Sequence, residues 1–241
     1  MRAFWDEKAR ENATYYVSSY RPYDRQDPEE FWKWGEILTQ RFLNEAQFDF
    51  SGREEMLEIG CGIGRMTRCF ARRFAVVHAI DVSQEMIAQA GENLAAFANV
   101  QLHLGNGRDL SAFADGRFDF VFSYITFQHI PKAAITARYI AEAGRVLKPG
   151  GGFYFQVNNA PLGLRARLRL GSRIRPLLRT IMPRRDPQTS GTAPRGLDHP
   201  AWRGSRMSLA EIRRACAAGH LDIVALQGEG TQYLWVKAIR I

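Results

Sequence analysis

The sequence predicts an α/β fold in which helices cover both faces of a mostly parallel sheet. From Met56 onward, short and continuously apolar runs alternate with helical segments, a pattern typical of parallel strands that are buried on both faces. The chain has 241 residues, of which 46% are apolar, enough to bury the core of one large domain. A glycine-rich turn, Gly60 to Gly64, directly follows the first apolar run. Together these features predict one α/β domain with a ligand-binding turn after its first strand.

Residues 1–50 are expected to form a helical cap. The opening is rich in Trp and Tyr and has no clear period. A helix is predicted to start at Asp27, because Asp27 suits the N-cap, Pro28 the first helical position and Glu30 a capping box. The aromatic residues of this region could form a lid that excludes water, with an ordinary packed segment as the alternative. They are Trp5, Tyr15, Tyr16, Tyr20 and Tyr23.

Residues 51–158 are predicted to form the core of the domain. Its five strands are expected at Met56–Ile59, Val76–Ile80, Val100–Leu104, Phe118–Tyr124 and Gly152–Val157. Its helices are expected at Arg65–Arg73, from Ser83 as N-cap to about Ala96, and at Lys132–Leu147.

Residues 206–241 are predicted to complete the sheet with one helix and two strands. Ser208 and Glu211 have the spacing of a capping box, and Gly219 suits the end of the helix. A glycine-containing turn around Glu229 separates two further apolar runs, as in a hairpin. These runs are Leu221–Leu226 and Gln232–Ile239.

A basic insertion is predicted at 159–205. From Asn158 to Arg206 inclusive there are eleven arginines, no lysine and two acids, a net charge of +9 against +8 for the whole chain. Three interpretations stay open: a solvated cap, a cap that selects an anionic substrate through bidentate arginine contacts, or a basic surface at 162–185 that rests on an anionic membrane or RNA. Leu162 to Arg185 contains no interleaved aromatic residue, which favours lipid over RNA.

The composition also limits the class of protein. The three cysteines, Cys61, Cys69 and Cys216, form no CxxC pair, so neither a disulfide framework nor a zinc site is indicated. The N-terminus lacks the apolar run of a signal peptide, and no apolar run has the length of a membrane span. We therefore expect a reduced, cytoplasmic setting.

The glycine turn has two acidic companions. Glu58 stands two residues before Gly60, and Asp81 follows it by 21 residues, at the end of the second predicted strand. Glycine permits positive φ and a close approach of the backbone to a ligand, and a carboxylate in the position of Asp81 can hold ribose hydroxyls. These features predict a nucleotide site but leave NAD open as its ligand.

The motifs resemble those of the class I S-adenosylmethionine (SAM) methyltransferases. Glu58 to Arg65 is similar to motif I of that family, and four later segments are similar to those that follow it, in order and with family spacing over about Met56 to Asn158. The later segments are Ile80–Met86, Leu104–Leu110, Phe118–Ser123 and Val146–Gly151. The resemblance implies a Rossmann-like, doubly wound, seven-stranded sheet with an antiparallel last strand. It also implies SAM as methyl donor, S-adenosylhomocysteine as product, and no metal.

The same resemblance implies cofactor contacts. The glycines would line the methionine and ribose portions, Asp81 would hold the ribose, and Met86 would pack beside the adenine. Asn106 stands where the family often has Asp, so the contact with the adenine edge would come from an amide or shift to Gly107. The implied cofactor-binding residues are Glu58, Gly60, Cys61, Gly62, Gly64, Asp81, Val82, Met86, Asn106, Gly107 and Ser123.

Acceptor residues are expected after the fourth strand, where the methyl group would point. His129 is a candidate general base, with a packing role as the alternative, and Tyr124 is a candidate pocket residue. Neither a Pro-Pro-aromatic motif nor a cysteine follows this strand, which argues against nucleic-acid bases as acceptors. We expect a small-molecule acceptor, which could be anionic, methylated at oxygen or nitrogen. A lipid-linked acceptor, a SAM-binding protein without activity and an NAD-dependent oxidoreductase are the alternatives, and the oligomeric state stays open.

Overall fold

The computed structural model describes residues 1–19, 22–161, 194 and 196–241. The predictions for 162–185 and for Tyr20 lie outside the described residues. The described helices are α1 (Arg2–Val17), α2 (Pro28–Ala46), α3 (Thr67–Phe70), α4 (Gln84–Asn93), α5 (Ala133–Val146), α6 (Pro200–Arg203) and α7 (Leu209–Ala218). The strands are β1 (Glu55–Ile59), β2 (Val76–Asp81), β3 (Val100–Leu104), β4 (Phe118–Ser123), β5 (Leu147–Val157), β6 (Leu221–Gln227) and β7 (Leu234–Arg240).

The seven strands form one sheet in the order β3-β2-β1-β4-β5-β7-β6. The pairs from β3 through to β5 are parallel, whereas β7 runs antiparallel to both β5 and β6. This arrangement confirms the predicted α/β class, the seven strands and the antiparallel last strand. The order of strands reverses between β1 and β4, and in open α/β sheets ligands bind at such a point, beyond the carboxyl ends of the strands.

Two helices of the core are shorter than predicted. The segment after the glycine turn contains only four residues of regular α-helix, because its backbone bonds mix the i→i+3 spacing, as in Cys69 N–H to Met66 O, with the i→i+4 spacing. Ser83 caps α4 as predicted, and its side chain accepts a hydrogen bond from the Met86 N–H. This helix ends at Asn93, three residues before the predicted end.

The last strands and helix agree with the sequence patterns. Ser208 and Glu211 form the predicted capping box of α7, and Gly219 is its C-cap. The strand β5 begins earlier than predicted, at Leu147, which pairs with Phe118 before an irregularity in the ladder. Regular pairing resumes at Gly152 opposite Phe120.

The opening of the chain is helical, although its sequence shows no clear period. The helix α1 is kinked at Asn12, whose backbone is extended (φ −169°). The Asn12 side chain accepts a hydrogen bond from the Tyr15 N–H and donates one to the Tyr23 carbonyl. Asn12 therefore acts as an internal N-cap that starts a second helical segment, and the break in the helix accounts for the missing period.

Apolar side chains from both faces of the sheet form the core. One cluster packs α5 and α7 against one face, and a second packs α2 and α3 against the other, through residues such as Phe42, Phe70 and Phe120. None of the helices in the described ranges has the length and apolar character that crossing a membrane would require.

Candidate active site

A cavity opens at the carboxyl ends of β1, β2 and β4, where the order of strands reverses, and its open space, including the part that merges with solvent, is about 990 Å³. Nine of the residues implied by the sequence line it: Glu58, Gly60, Cys61, Gly62, Asp81, Val82, Met86, Tyr124 and His129.

The glycine turn forms one wall of this cavity. Gly60 and Gly62 have positive φ, +82° and +54°, a region that side chains with a Cβ rarely adopt. The Gly60 and Cys61 N–H groups both donate to the Ile80 carbonyl, which fixes the turn against β2. A Cβ on Gly60 would overlap the Thr126 side chain, so this position also needs glycine for space.

Asp81 ties the turn to the start of α4. One of its carboxylate oxygens accepts from the Gly62 N–H at 3.0 Å, and the other from the Ser83 N–H at 2.9 Å. Burial raises the pKa of Asp81, and the backbone hydrogen bonds oppose this effect. Each carboxylate oxygen has a second lone pair that can still accept a ligand hydroxyl.

Glu58 is an acid buried beneath the turn. It is 4% exposed, and its Oε2 accepts a 2.6 Å hydrogen bond from the Thr67 hydroxyl. Burial raises the pKa of Glu58 to about 7, against the opposing effects of Thr67 and Arg65. A buried carboxylate of this kind on the cavity wall favours a cationic ligand group, whose charge would stabilise the ionised form.

The helix α1 closes the cavity near β2 and β3. Arg2 donates from Nε to the Val82 carbonyl at 3.0 Å and from Nη2 to the Gly105 carbonyl at 2.7 Å. Asp6 accepts from the Ser83 hydroxyl at 2.7 Å and from the Glu85 N–H at 3.2 Å. These contacts fix the start of α1 over the strand ends.

Of the predicted lid aromatics in the described part of the chain, two line the cavity. They are Trp5 and Tyr16, whose rings lie 6.2 and 5.6 Å from that of Trp202, on the short helix α6. Tyr15 and Tyr23 pack against Tyr16 instead of lining the cavity. The predicted lid residues therefore divide into a lining pair and a supporting pair.

His129 lies in the 3₁₀ turn that follows β4. Its Nδ1 is 2.6 Å from the Trp202 carbonyl, which can only accept, so Nδ1 carries the proton in the neutral ring and the lone pair is on Nε2, 3.4 Å from the Gln128 amide nitrogen. Burial lowers the pKa of His129, and the Trp202 hydrogen bond opposes this effect. The ring is therefore neutral at pH 7 and retains a basic nitrogen.

The loop between β4 and His129 has an unusual backbone. Ile125 has φ +56°, which is strained for a β-branched residue. Its N–H donates to the Gln156 side chain, whose amide in turn donates to Gln128. Gln156 is fully buried on β5, so its amide stabilises the strained loop from inside the sheet.

A second, larger cavity of about 1770 Å³ adjoins the first. Tyr16, Arg65, Tyr124 and His129 line both cavities and form the boundary between them. Burial raises the pKa of Tyr124, so its hydroxyl is a hydrogen-bond donor at neutral pH. The second cavity has the position expected for an acceptor chamber.

Four of the implied cofactor residues do not line the first cavity. They are Gly64, Asn106, Gly107 and Ser123. Asn106 is exposed and caps its own loop, accepting from the Arg108 and Asp109 N–H groups. The Ser123 hydroxyl donates to the Ile59 carbonyl inside the sheet. Their roles toward the cofactor stay predictions.

Sequence reasoning missed several lining residues. Arg65, Ile125, Thr126 and Tyr139 contribute to the cavity walls together with Met1 and Gly105. Signals were available for Arg65, which directly follows the glycine turn, and for Gly105, which lies in the matched segment Leu104–Leu110. The others approach the cavity through loop conformation and helix packing. Within the described ranges, no group of three or more His, Cys, Asp or Glu side chains is placed to hold a metal ion.

Residues 56–151 match the family model described as a methyltransferase domain, and the matched range runs from β1 into β5. This range contains the glycine turn, Asp81 and the loop after β4.

Curated relatives match the same region. The chain is 37% identical over 98 residues to demethylmenaquinone methyltransferase of Tropheryma whipplei, covering 41% of this chain and 39% of the relative. It is 32% identical over 115 residues to ubiquinone biosynthesis O-methyltransferase of Xanthomonas oryzae, covering 47% and 46%. The chain thus spans less than half the length of these relatives.

Solved structures share the fold at low sequence identity. Phosphoethanolamine N-methyltransferase 1 of Haemonchus contortus, in complex with phosphoethanolamine and S-adenosylhomocysteine, aligns with a TM-score of 0.64 and 14% identity over 99% of this chain and 48% of that one. Geranyl diphosphate C-methyltransferase of Streptomyces coelicolor aligns with a TM-score of 0.61 and 16% identity, over 100% and 96%. These likenesses concern the fold.

Proposed function

We propose that this protein transfers the methyl group of SAM to an oxygen or nitrogen of a small-molecule acceptor. The observation that carries the proposal is the cavity at the strand reversal, which brings the glycine turn, Glu58 and Asp81 together. SAM supplies a methyl group on a cationic sulfur: the sulfur–carbon bond breaks as the bond to the acceptor forms, and the electron pair stays on sulfur.

The cavity walls fit the parts of SAM. Glu58 would bind the ammonium of the methionine portion, since a nearby cation stabilises its carboxylate. Asp81 would accept from the ribose hydroxyls with its remaining lone pairs, while its bonds to Gly62 and Ser83 hold it in place. Val82 and Met86 would contact the adenine, as the family resemblance implies.

His129 would accept the proton that a hydroxyl or ammonium acceptor loses. Its neutral form has the lone pair on Nε2 because Nδ1 is bonded to the Trp202 carbonyl, and this lone pair faces the Gln128 amide nitrogen at 3.4 Å. Tyr124, on the same boundary between the cavities, would donate a hydrogen bond to the acceptor. Small acceptors agree with the quinone-pathway names of the curated relatives. Membrane contact through 162–185 stays a prediction.

Calorimetry with SAM, S-adenosylhomocysteine and NAD tests the cofactor. We expect binding of the first two and none of NAD, and the reverse result would overturn the proposal in favour of an oxidoreductase. A screen of hydroxyl and amine acceptors for SAM turnover then tests the activity. Binding of SAM with no turnover by any acceptor class would favour a SAM-binding protein without activity.

The role of His129 is tested by His129→Asn in that turnover assay. A general base contributes roughly 10²–10⁴-fold, so we expect kcat to fall by at least a hundredfold with little change in SAM affinity. Because the pKa of His129 is lowered from 6.5, wild-type kcat should rise with pH to a plateau, with the midpoint of the rise below pH 6.5. Full activity of His129→Asn would exclude His129 as the general base and favour the alternative packing role.

A further inference from the structure

Arg65 is a buried cation on the boundary between the two cavities. It is 5% exposed, and its Nη1 donates to the Ser18 hydroxyl at 2.8 Å. Its Nε is buried without a hydrogen-bond partner, and none of the described acids forms an ion pair with it. The guanidinium carbon lies 5.4 Å from the ring centroid of Phe31, which supports one face of the group.

This arrangement is costly unless a ligand completes it. Taking a charge out of water without a counter-charge destabilises a protein, and a buried donor without an acceptor adds to that cost. Burial accordingly lowers the pKa of Arg65. A guanidinium nevertheless stays protonated in proteins, so its charge persists at the boundary.

The other arginines of the second cavity already have partners. Arg41 donates to Glu45 at 2.7 Å, and Arg203 pairs with Asp198. Among the described residues that line this cavity there is no Asp or Glu. Among the described arginines that line this cavity, Arg65 is therefore the one without an ion pair, although the charge of Glu58 acts on it, and its single charge matches one carboxylate on a ligand.

The remaining lining of the second cavity is rich in aromatic rings. Tyr16, Trp34, Tyr124, Trp202 and Tyr233 all contribute to it. Tyr124 is stacked on Trp235 with ring centroids 5.4 Å apart and an angle of 12° between the planes. Flat aromatic surfaces favour a planar ligand, and a guanidinium fork favours a planar carboxylate.

We propose that Arg65 binds the carboxylate of the methyl acceptor, and that the acceptor is a planar aromatic monocarboxylate. This inference rests on the proposed function, because it places the acceptor in the second cavity next to the SAM site. The carboxylate of SAM is the other possible source of the same chemistry. The acceptor is favoured because Arg65 reaches the chamber where the aromatic surfaces lie.

The probes are benzoate and its neutral isostere benzamide, titrated into the full chain saturated with S-adenosylhomocysteine. We expect benzoate to bind at least tenfold more tightly than benzamide. Arg65→Gln should abolish that preference, and Arg65→Lys should retain part of it, because lysine keeps the charge but not the fork. Arg68→Gln is the matched control, since Arg68 lies one turn further along and lines neither cavity.

The affinity for S-adenosylhomocysteine separates the two sources of the carboxylate. It should change less than threefold in Arg65→Gln, whereas a loss as large as that of benzoate would assign Arg65 to the cofactor and overturn the proposal. Equal binding of benzoate and benzamide by the wild type would also overturn it. If the wild type fails to bind S-adenosylhomocysteine, the proposed function is wrong. The preference for benzoate over benzamide is then measured by titration without S-adenosylhomocysteine, so the role of Arg65 is tested separately.

The fold of the variants is checked by thermal unfolding. Arg65→Gln removes a buried charge that forms no ion pair with a described acid, so its Tm should equal or exceed that of the wild type. Saturating benzoate should raise the Tm of the wild type and of Arg68→Gln but not that of Arg65→Gln. An equal rise in all three proteins would contradict a role of Arg65 in binding the carboxylate.

Discussion

Two regions of the same sheet bury ionisable groups in opposite ways. At the carboxyl ends of the strands, Glu58 accepts one hydrogen bond, and Arg65 forms no ion pair with an acid in the described part of the chain. Nearer the amino ends, buried His78 lies 2.8 Å from both Glu55 and His103, and Arg117 donates to Glu55 at 2.8 Å. In the first region, a ligand could supply the partners that the buried charged groups lack. In the second region, the protein itself supplies those partners. This difference indicates which region is built for binding.

Among substitutions in the binding region, Gly60→Ala should cause the largest loss of stability and of SAM binding. The new Cβ would overlap Thr126 at a positive φ, so we expect a loss of about 3 kcal/mol or more in unfolding free energy and no measurable SAM binding. Gly150→Ala is the matched control, because Gly150 has a similar φ of +79° with nothing within 4 Å of its Cβ. It should cost about 1 kcal/mol. Equal losses in chemical denaturation would show that space at Thr126 does not matter.

Glu58→Gln should stabilise the protein while it weakens SAM binding. The folded-state pKa of about 7 lies above the usual 4.5, so the stability that Glu58 contributes is present below pH 4.5 and is lost as the pH rises through 7. At pH 8 the variant should be more stable by about 1–3 kcal/mol, measured by urea unfolding. Glu92→Gln, at an exposed position, should change little. A less stable Glu58→Gln at pH 8 would contradict the unfavourable burial of this acid.

The histidine cluster should show the opposite dependence on pH. Burial, Arg117 and His103 lower the pKa of His78 to about 4, below the usual 6.5. The unfolded chain therefore binds a proton in this window that the folded chain does not, so stability falls as the pH falls from 6.5 to 4. Between pH 6.5 and 4, the unfolding free energy of His78→Gln should fall by about 1–2 kcal/mol less than that of the wild type. His220→Asn, at an exposed position, should retain the full slope in thermal or urea unfolding.

The smallest changes in stability are expected from substitutions in α1, at the residues that fix this helix over the cavity. Asp6→Ala removes the acceptor for Ser83 and the Glu85 N–H, which should cost about 1 kcal/mol and speed the dissociation of SAM. Arg10→Ala removes an exposed pair with Glu85 and should cost a few tenths of a kcal/mol. Stopped-flow dissociation and thermal unfolding measure both quantities. If SAM dissociated from Asp6→Ala at the same rate as from the wild type, the contacts of α1 would not retain the ligand.

The order of elements and half of the site were accessible from the sequence. Apolar runs predicted the strands, and local capping residues such as Asp27, Ser83 and Ser208 predicted helix starts that the structure confirms. The glycine turn and Asp81 were found because their chemistry depends on short, fixed spacings. Asn106 caps its own loop by accepting from the Arg108 N–H, and its contact with the adenine edge stays a prediction.

By itself, the sequence determined the α/β class and the position of the glycine turn, because periodicity, capping and short motifs act over a few residues. Only the tertiary structure decided which side chains meet. It placed Arg65 between two cavities, bonded His129 to Trp202 across 73 positions and fixed α1 over the strand ends. Contacts between distant residues depend on how helices pack on the sheet, and no local pattern encodes that packing.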